Sequence, residues 1–161
     1  MKKALCIFFM LFLTLCACSC GRGASSVTEK LNGRFEAEIQ IKQGERDVRA
    51  TLYMGAYKKG EARDVRICLQ APSGMTLEVK DDKAFICENG FSVEFRNVPP
   101  LISELAAAFS VDSISSLPKE NGKLVFLSDV NTRIYSGKNG VPLRLIYADT
   151  SVEILSFEQT A

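Results

Sequence analysis

The sequence predicts a mainly β (α+β) protein, in which a curled antiparallel sheet or half-barrel of about ten strands carries one or two helices over its concave face. Three observations lead to this fold class. Apolar and polar residues alternate with a period of two over much of the 161-residue chain, as in strands with one wet face. Short clusters of Gly, Asn, Asp and Pro separate these segments and predict tight turns. Residues 101–110 instead have apolar residues at helical spacing.

The first 17 residues have the parts of a lipoprotein signal peptide. Lys2 and Lys3 precede an uncharged apolar run, residues 4–15, that ends in small residues. The run is short for a bilayer core, which takes about 20 apolar residues. The sequence "LCAC", residues 15–18, resembles the bacterial lipobox and predicts lipidation at Cys18, with Cys20 as a second choice. An ordinary secretory signal cut nearby is the alternative.

The leader divides the chain into three predicted parts. Residues 1–17 form the signal peptide, residues 18–26 a flexible tether, and residues 27–161 a single half-barrel domain, which begins with one helical turn from Val27. Acyl chains such as palmitate on Cys18 would hold this domain on the outer, extracytoplasmic side of the cell membrane, because each buried methylene contributes about 0.8 kcal/mol. We therefore expect a lipid-anchored protein.

The charge balance argues against a nucleic-acid partner. Loss of Lys2 and Lys3 with the leader leaves 18 basic and 19 acidic residues in the mature chain. Nucleic-acid binding relies on a basic excess or a clustered basic tract, and the sequence contains neither. The expected partners are the membrane, through the lipid, and either a lipid ligand or an envelope protein.

Six consecutive strands are predicted between residues 34 and 95. They are "RFEAEIQIK", "DVRATLYM", "DVRICLQ", "MTLEVK", "KAFICE" and "FSVEF". Two-residue turns at Asp81-Asp82 and Asn89-Gly90 would fix the register of the last three strands. They place Val79 opposite Ala84 and Leu77 opposite Ile86, and then Ala84 opposite Phe95 and Ile86 opposite Val93. Both turns thus put the apolar partners on one face of an antiparallel meander.

A helix and four further strands follow the meander. Ile102, Leu105 and Phe109 recur at helical spacing after Pro99-Pro100, where a helix start accepts proline. The helix is expected to extend, or to be followed by another turn, through Val111, Ile114 and Leu117. Strands resume with "KLVFLSD", "TRIYS", "VPLRLIYA" and "SVEILSF". Several of these are apolar on both faces, which predicts cover on both sides of this part of the sheet.

A sheet of this size curls, and a helix set into its mouth leaves an apolar concavity that suits a hydrophobic ligand. The residues predicted to line this hypothetical cavity are Phe35, Ile39, Leu52, Leu69, Leu77, Ile86 and Phe95 from the sheet, with Leu105 and Phe109 from the helix. The same residues would also form an ordinary packed core. The sequence leaves these two interpretations open.

These features resemble the LolA/LolB-like family of bacterial envelope proteins. The likeness rests on the strand order, the "PSGMTLEV" hairpin, the proline-led helix after the sixth strand, and "GKNGVPLRLIYADTSVEILSF" near the end. The chain is also similar to small Gram-positive lipoproteins of the germination type (GerS-like). The resemblance implies a half-barrel closed by helices over an apolar cavity. It also implies binding of a lipid or acyl chain or, alternatively, a non-enzymatic module that regulates or scaffolds an envelope or spore cell-wall protein.

The sequence offers little catalytic chemistry. It contains no histidine, which removes Ser-His-Asp and Cys-His catalysis and the commonest metal ligand. Neither a nucleophile elbow nor a phosphate loop occurs. We expect no enzymatic activity, no catalytic residues, no metal and no cofactor.

Cys68 and Cys87 remain in the folded domain. They fall on strands separated by "MTLEVK", so two strand spacings of roughly 10 Å in total lie between them. A disulfide requires Cα atoms within about 7 Å. Two unpaired thiols are therefore predicted.

Overall fold

The computed structural model describes residues 23–69, 75–80, 83–88, 91–95, 97 and 100–160. Within them lie two helices and one antiparallel sheet of eleven strands, which confirms the predicted fold class. The helices are α1, residues 23–32, and α2, Pro100–Phe109. The strands are β1 Phe35–Gln43, β2 Arg46–Met54, β3 Val65–Leu69, β4 Thr76–Lys80, β5 Lys83–Glu88, β6 Phe91–Phe95, β7 Ile114–Glu120, β8 Lys123–Ser128, β9 Arg133–Ser136, β10 Pro142–Tyr147 and β11 Thr150–Gln159.

The sheet is open and consists of two meanders joined in its middle. Its order is β6-β5-β4-β3-β2-β1-β11-β10-β9-β8-β7, with β1 paired to β11. β6 and β7 therefore lie at opposite edges, although they are consecutive strands. The chain between them contains α2. Because that segment must cross from one edge of the sheet to the other, it brings the helix over one face.

The register of the first meander is the predicted one. Val79 pairs with Ala84 and Leu77 with Ile86. Ala84 then pairs with Phe95, and Ile86 with Val93. The turns at residues 81–82 and 89–90 lie outside the described residues, but the strands on both sides have the spacing that two-residue turns impose.

The N-terminal prediction needs correction. A flexible tether was expected to extend through Ser26, with one helical turn from Val27, whereas α1 already includes residues 23–26. Val27 and Leu31 on this helix are fully buried. The small residues "GASS" suggested a linker, but packing of the helix on the sheet outweighs their weak helix propensity. The predicted signal peptide and Cys18 lie outside the described residues.

The predicted helix at residues 101–110 is confirmed, but its continuation was wrong. Ile114 and Leu117 belong to β7 and pair with Ser128 and Val125 of β8. Their three-residue spacing fits a helix as well as this irregular strand, which has a bulge between Leu117 and Glu120. An edge strand also tolerates Pro118, because its outer side pairs with no strand and requires no backbone N–H group there.

The prediction that both faces of the late strands are covered is also only partly confirmed. Val125 and Phe126, adjacent on β8, are both buried. Leu155 on β11, in contrast, is 50% exposed. The β1–β11 register jumps from Glu38 opposite Ser156 to Ile39 opposite Ile154, which leaves Leu155 as the extra residue of a β-bulge. The bulge therefore disturbs the alternation that predicted a second buried face.

Candidate functional site

The apolar face of β1 to β6 consists of cross-strand rows. One row runs through Ala37, Leu52, Ile67, Leu77, Ile86 and Val93, and the next through Phe35, Met54, Val65, Val79, Ala84 and Phe95. Residues directly opposite each other point to the same face. Both rows therefore lie on the side of the sheet that the helices cover.

Burial along these rows falls toward β6. In the first row Leu52 and Ile67 are buried, Leu77 and Ile86 are half-buried, and Val93 is 58% exposed. In the second row every residue from Phe35 to Ala84 is buried and Phe95 is 41% exposed. Phe91, also on β6, is 79% exposed. We call the part of this apolar face that is half-buried or exposed in the structure the open strip; it comprises Leu69, Leu77, Ile86, Phe91, Val93 and Phe95.

The covered part of the face is closely packed against both helices. α2 buries Ile102, Leu105, Ala108 and Phe109, and α1 buries Val27 and Leu31. The Phe109 ring lies 5.5 Å from the Phe35 ring between centroids, and Phe35 lies 4.8 Å from Phe157. These rings join β1, β11 and α2 into one core.

A cavity of about 200 Å³ lies between the sheet and α2, and its lining includes Val79, which is two residues along β4 from Leu77 of the open strip. Val65 and Val79, from the second row, form one wall, and Ile102 of α2 lies on another. The complete lining is Ala62, Arg63, Val65, Val79, Ile102, Ser103 and Ala106. The small side chains on α2 leave this space, since Ser103 and Ala106 stand where longer apolar residues would reach the sheet.

Arg63, in the loop between β2 and β3, is a charged residue in the lining of this cavity. Only 6% of it is exposed. Its Nη2 atom donates to the carbonyl oxygens of Leu31 and Gly33 at the end of α1, at 2.7 and 2.8 Å. Nη1 donates to the carbonyl oxygen of Phe109 at the end of α2, at 2.9 Å.

The remaining donors of Arg63 are also used. Nε donates to the Gly55 carbonyl at 2.6 Å, and Nη1 is 3.4 Å from Ser110 Oγ. All five N–H groups of the guanidinium therefore have acceptors. Burial lowers the pKa of Arg63 to about 10, so the side chain is charged at neutral pH. Its positive charge faces two helix C-termini, which favour cations.

A second contact joins the helix ends. The Asn32 side chain donates to the carbonyl oxygen of Val111 at 2.7 Å and accepts from the N–H of Val111 at 3.2 Å. The Arg63 and Asn32 contacts together fix the C-terminal ends of both helices over the sheet. Toward the N-terminal end of α2, Ser103 donates to the carbonyl oxygen of Pro100 in its own helix, and Glu104 shares a hydrogen bond with Tyr147 of β10.

The nine predicted lining residues divide into two groups. Five are fully buried in the core and face no open space: Phe35, Ile39, Leu52, Leu105 and Phe109. Four belong to the open strip: Leu69, Leu77, Ile86 and Phe95. Their contact with a ligand stays a prediction. Arg63 was not predicted, because a single arginine in a loop has no periodic signal, and Phe91 was not predicted because it lies at the end of its strand.

Lys59, Tyr57 and Asp112 form a polar network near the surface. Lys59 Nζ lies 2.6 Å from Asp112 Oδ2, and Tyr57 donates to Asp112 Oδ1 at 3.0 Å. The hydrogen bond from Lys59 is the main cause that lowers the pKa of Asp112. The described residues include no group of three or more potential ligands placed to hold a metal ion.

Cys68 and Cys87 are free, as predicted. Thr76 of the intervening strand pairs with both of them. In the described part of the chain, no helix combines the length and apolar character needed to cross a membrane.

Comparison with known proteins identifies related folds only. No protein-family model and no curated protein matches the chain. The crystal structure of MucB matches with a TM-score of 0.52 and 8% sequence identity, over 89% of this chain and 60% of MucB. A structure of the Pseudomonas aeruginosa MucA/MucB complex gives 0.49 and 11%, over 85% of this chain and 56% of that chain. LolA superfamily protein NE2245 from Nitrosomonas europaea gives 0.44 and 8%, over 88% and 94%.

These likenesses concern the fold. At 8% identity, and with this chain spanning about 60% of the length of MucB, the match shows a shared sheet-and-helix architecture. The predicted resemblance to LolA/LolB-like and GerS-like lipoproteins stays a prediction at the level of sequence family.

Proposed function

We propose that this chain is a membrane-anchored extracytoplasmic lipoprotein that binds a hydrophobic ligand, such as an acyl chain of a lipid, on the open strip. The observation that carries the proposal is the gradual loss of cover along one continuous apolar face. The two rows are buried from β1 to β3 and lie uncovered at β6. The strip is therefore an extension of the core surface that the described helices do not cover.

The chemistry of the strip suits an acyl chain. All six of its side chains are apolar, and the adjoining cavity presents Val65, Val79 and Ile102. Arg63 at the cavity wall has no free donor, so it would not draw a charged headgroup inward. Each methylene transferred from water onto such a surface contributes about 0.8 kcal/mol. The headgroup would remain in solvent.

Anchoring through Cys18 would fit this activity. A domain tethered within a short distance of the membrane meets lipid at high local concentration. Neither a catalytic group nor a cofactor is needed for such binding, and we propose that the protein is not an enzyme.

Native mass spectrometry tests the ligand directly. The full chain, expressed in a bacterial host and extracted from membranes, should carry an additional mass equal to a lipid or fatty acid beyond the mass of its covalent anchor. Release of that mass by organic extraction would identify it. A chain that carries only the covalent modification, at several expression levels, would contradict the proposal.

A matched pair of variants on β5 locates the binding surface. Ile86 and Phe85 are adjacent, apolar and half-buried, but only Ile86 lies on the face with the open strip. Ile86→Lys should abolish lipid retention, because it places a charge in the middle of the strip. Phe85→Lys should retain lipid. Equal retention by both variants would place the ligand elsewhere.

The edge of β6, which pairs with no second strand among the described residues, favours a second candidate, a protein-binding module of the envelope. All five residues of β6 are exposed, and an uncovered edge strand offers unpaired backbone groups to another strand. In that case the purified chain should lack bound lipid, and cross-linking in cells should join it to one specific envelope protein.

A further inference from the structure

The two edges of the sheet are built differently. β7 contains Pro118 and Lys119 and has a bulge between Leu117 and Glu120, three features that discourage pairing with another strand. β6, with the sequence "FSVEF", has neither proline nor lysine and pairs regularly with β5 over all five residues. Only the β6 edge is therefore suited to accept another strand.

The sequence of β6 is almost symmetric about Val93. If two copies of this strand pair antiparallel with Val93 opposite Val93, then Phe91 of each copy lies opposite Phe95 of the other. Ser92 lies opposite Glu94 in the same register, so no two like charges are directly opposed. The negative charge of Glu94 also has a partner within its own chain, since Lys83 Nζ lies 3.6 Å away.

This register would also cover the most exposed apolar groups. Phe91, Val93 and Phe95 alternate along the strand and point to the helix-covered face of the sheet. Opposed residues in an antiparallel pair share a face. Two copies therefore bring six apolar side chains into one cluster, while Ser92 and Glu94 remain on the opposite, wetter face.

We propose that β6 is a self-complementary edge through which two copies of this chain pair antiparallel about Val93 and continue the sheet. The expected dimer is weak. Two five-residue strands bury less than the roughly 1,200 Å² typical of stable interfaces, so pairing should depend on concentration. The inference does not rest on lipid binding, although the proposed membrane anchor would raise the local concentration.

Disulfide trapping in intact cells tests both the partner and the register. At the centre of the proposed pair, the two Val93 Cα atoms would lie about 4.5–5.5 Å apart, within the range that a disulfide spans. Full-length Val93→Cys should therefore give a dimer of twice the chain mass on a non-reducing gel after mild oxidation. Phe91→Cys is the matched control, because the two Phe91 positions would be about 13 Å apart.

The expected result is about tenfold more disulfide dimer for Val93→Cys than for Phe91→Cys. The unsubstituted chain, which retains its native cysteines, should form none through this edge. Equal trapping at both positions would indicate random collision or another register and would overturn the proposal. So would the absence of any dimer, or trapping of Val93→Cys on a different protein. A loss of lipid without loss of trapping would contradict the proposed function alone.

Discussion

The guanidinium of Arg63 lies 2.9 Å from the carbonyl oxygen of Phe109 and 2.7 Å from that of Leu31. One buried side chain thus holds the C-terminal ends of two helices that are far apart in sequence. It has no carboxylate partner among its described contacts; its acceptors are four backbone carbonyls and one hydroxyl. The helices need this contact because their last carbonyls are shielded from water by the core beneath them.

Substitution of Arg63 should therefore destabilise the fold strongly. Arg63→Met leaves several buried carbonyls without donors and should lower the free energy of unfolding by about 3 kcal/mol or more. Arg63→Lys should recover only part of this loss, since an ammonium cannot reach both helix ends. Urea unfolding followed by circular dichroism measures the effect.

Arg66 provides the control for this experiment. It is exposed and contacts the Tyr53 ring at 4.6 Å, so Arg66→Met should cost no more than about 1 kcal/mol. If Arg63→Met were as mild as Arg66→Met, the helix ends would find other donors, and the role assigned to Arg63 would be incorrect.

The first meander of the sheet could be predicted because its strands and turns are determined by residues close together in the sequence. Alternation in β1 to β6, together with two-residue turns, determines which residues face each other; the Leu77, Ile86 and Val93 row was predicted in full. The pairing of β1 with β11 was not predicted, since it depends on contacts between the two ends of the chain. Leu155 shows the same limit, because a bulge is visible only against the partner strand.

The candidate site could be predicted only in part. Alternation shows that Phe35 and Phe95 share a face, but it does not show which of them a helix covers. That distinction depends on the path of α2 across the sheet from β6 to β7. Arg63 escaped prediction for a similar reason, because its acceptors belong to helix ends that come together only in the folded chain.

Packing of α1 against the turn between β9 and β10 can be tested with a glycine. Gly140 has φ of +76°, and a Cβ added to it would lie 2.9 Å from Ser26 Cβ and collide with Ser26 Oγ. Gly140→Ala should therefore cost about 3 kcal/mol, from the strained backbone and the clash together. Thermal or urea unfolding measures this cost.

Gly44 is the matched control. Its φ is +57°, but nothing lies within 4 Å of an added Cβ, so Gly44→Ala should cost only about 1 kcal/mol. Equal costs at the two glycines would mean that residue 26 does not pack on this turn. The start of α1 would then behave as the flexible tether that the sequence predicts.

The Asp112 contact should make stability depend on pH in a defined direction. The hydrogen bond from Lys59 lowers the pKa of Asp112 in the folded protein. The ionised Asp112 carboxylate therefore contributes fully to the free energy of unfolding above pH 3.8, its ordinary pKa. This contribution is lost as the pH falls through the lower pKa of the folded state. Asp112→Asn should lower the urea midpoint at pH 7, and the difference from the parent chain should shrink below pH 3.8 and in high salt.

Glu61→Gln is the corresponding control for a solvated ion pair. Glu61 lies 3.5 Å from Lys58, and both side chains are more than 60% exposed, so no measurable change is expected at any pH. A difference for Asp112→Asn that persists unchanged at low pH would show that its carboxylate charge is not the cause.

Truncation of a phenylalanine on this face of the sheet should destabilise the protein strongly in the core and only slightly in the open strip. Phe109 is fully buried against Phe35, so Phe109→Ala should lower the free energy of unfolding by about 3–5 kcal/mol. Phe91 is mostly exposed, and Phe91→Ala should change it by less than about 0.5 kcal/mol. Urea unfolding of the lipid-free protein at low concentration compares the two without a contribution from ligand or self-pairing. A large loss for Phe91→Ala would mean that β6 is packed within the folded monomer, and the strip would then be core rather than a free surface.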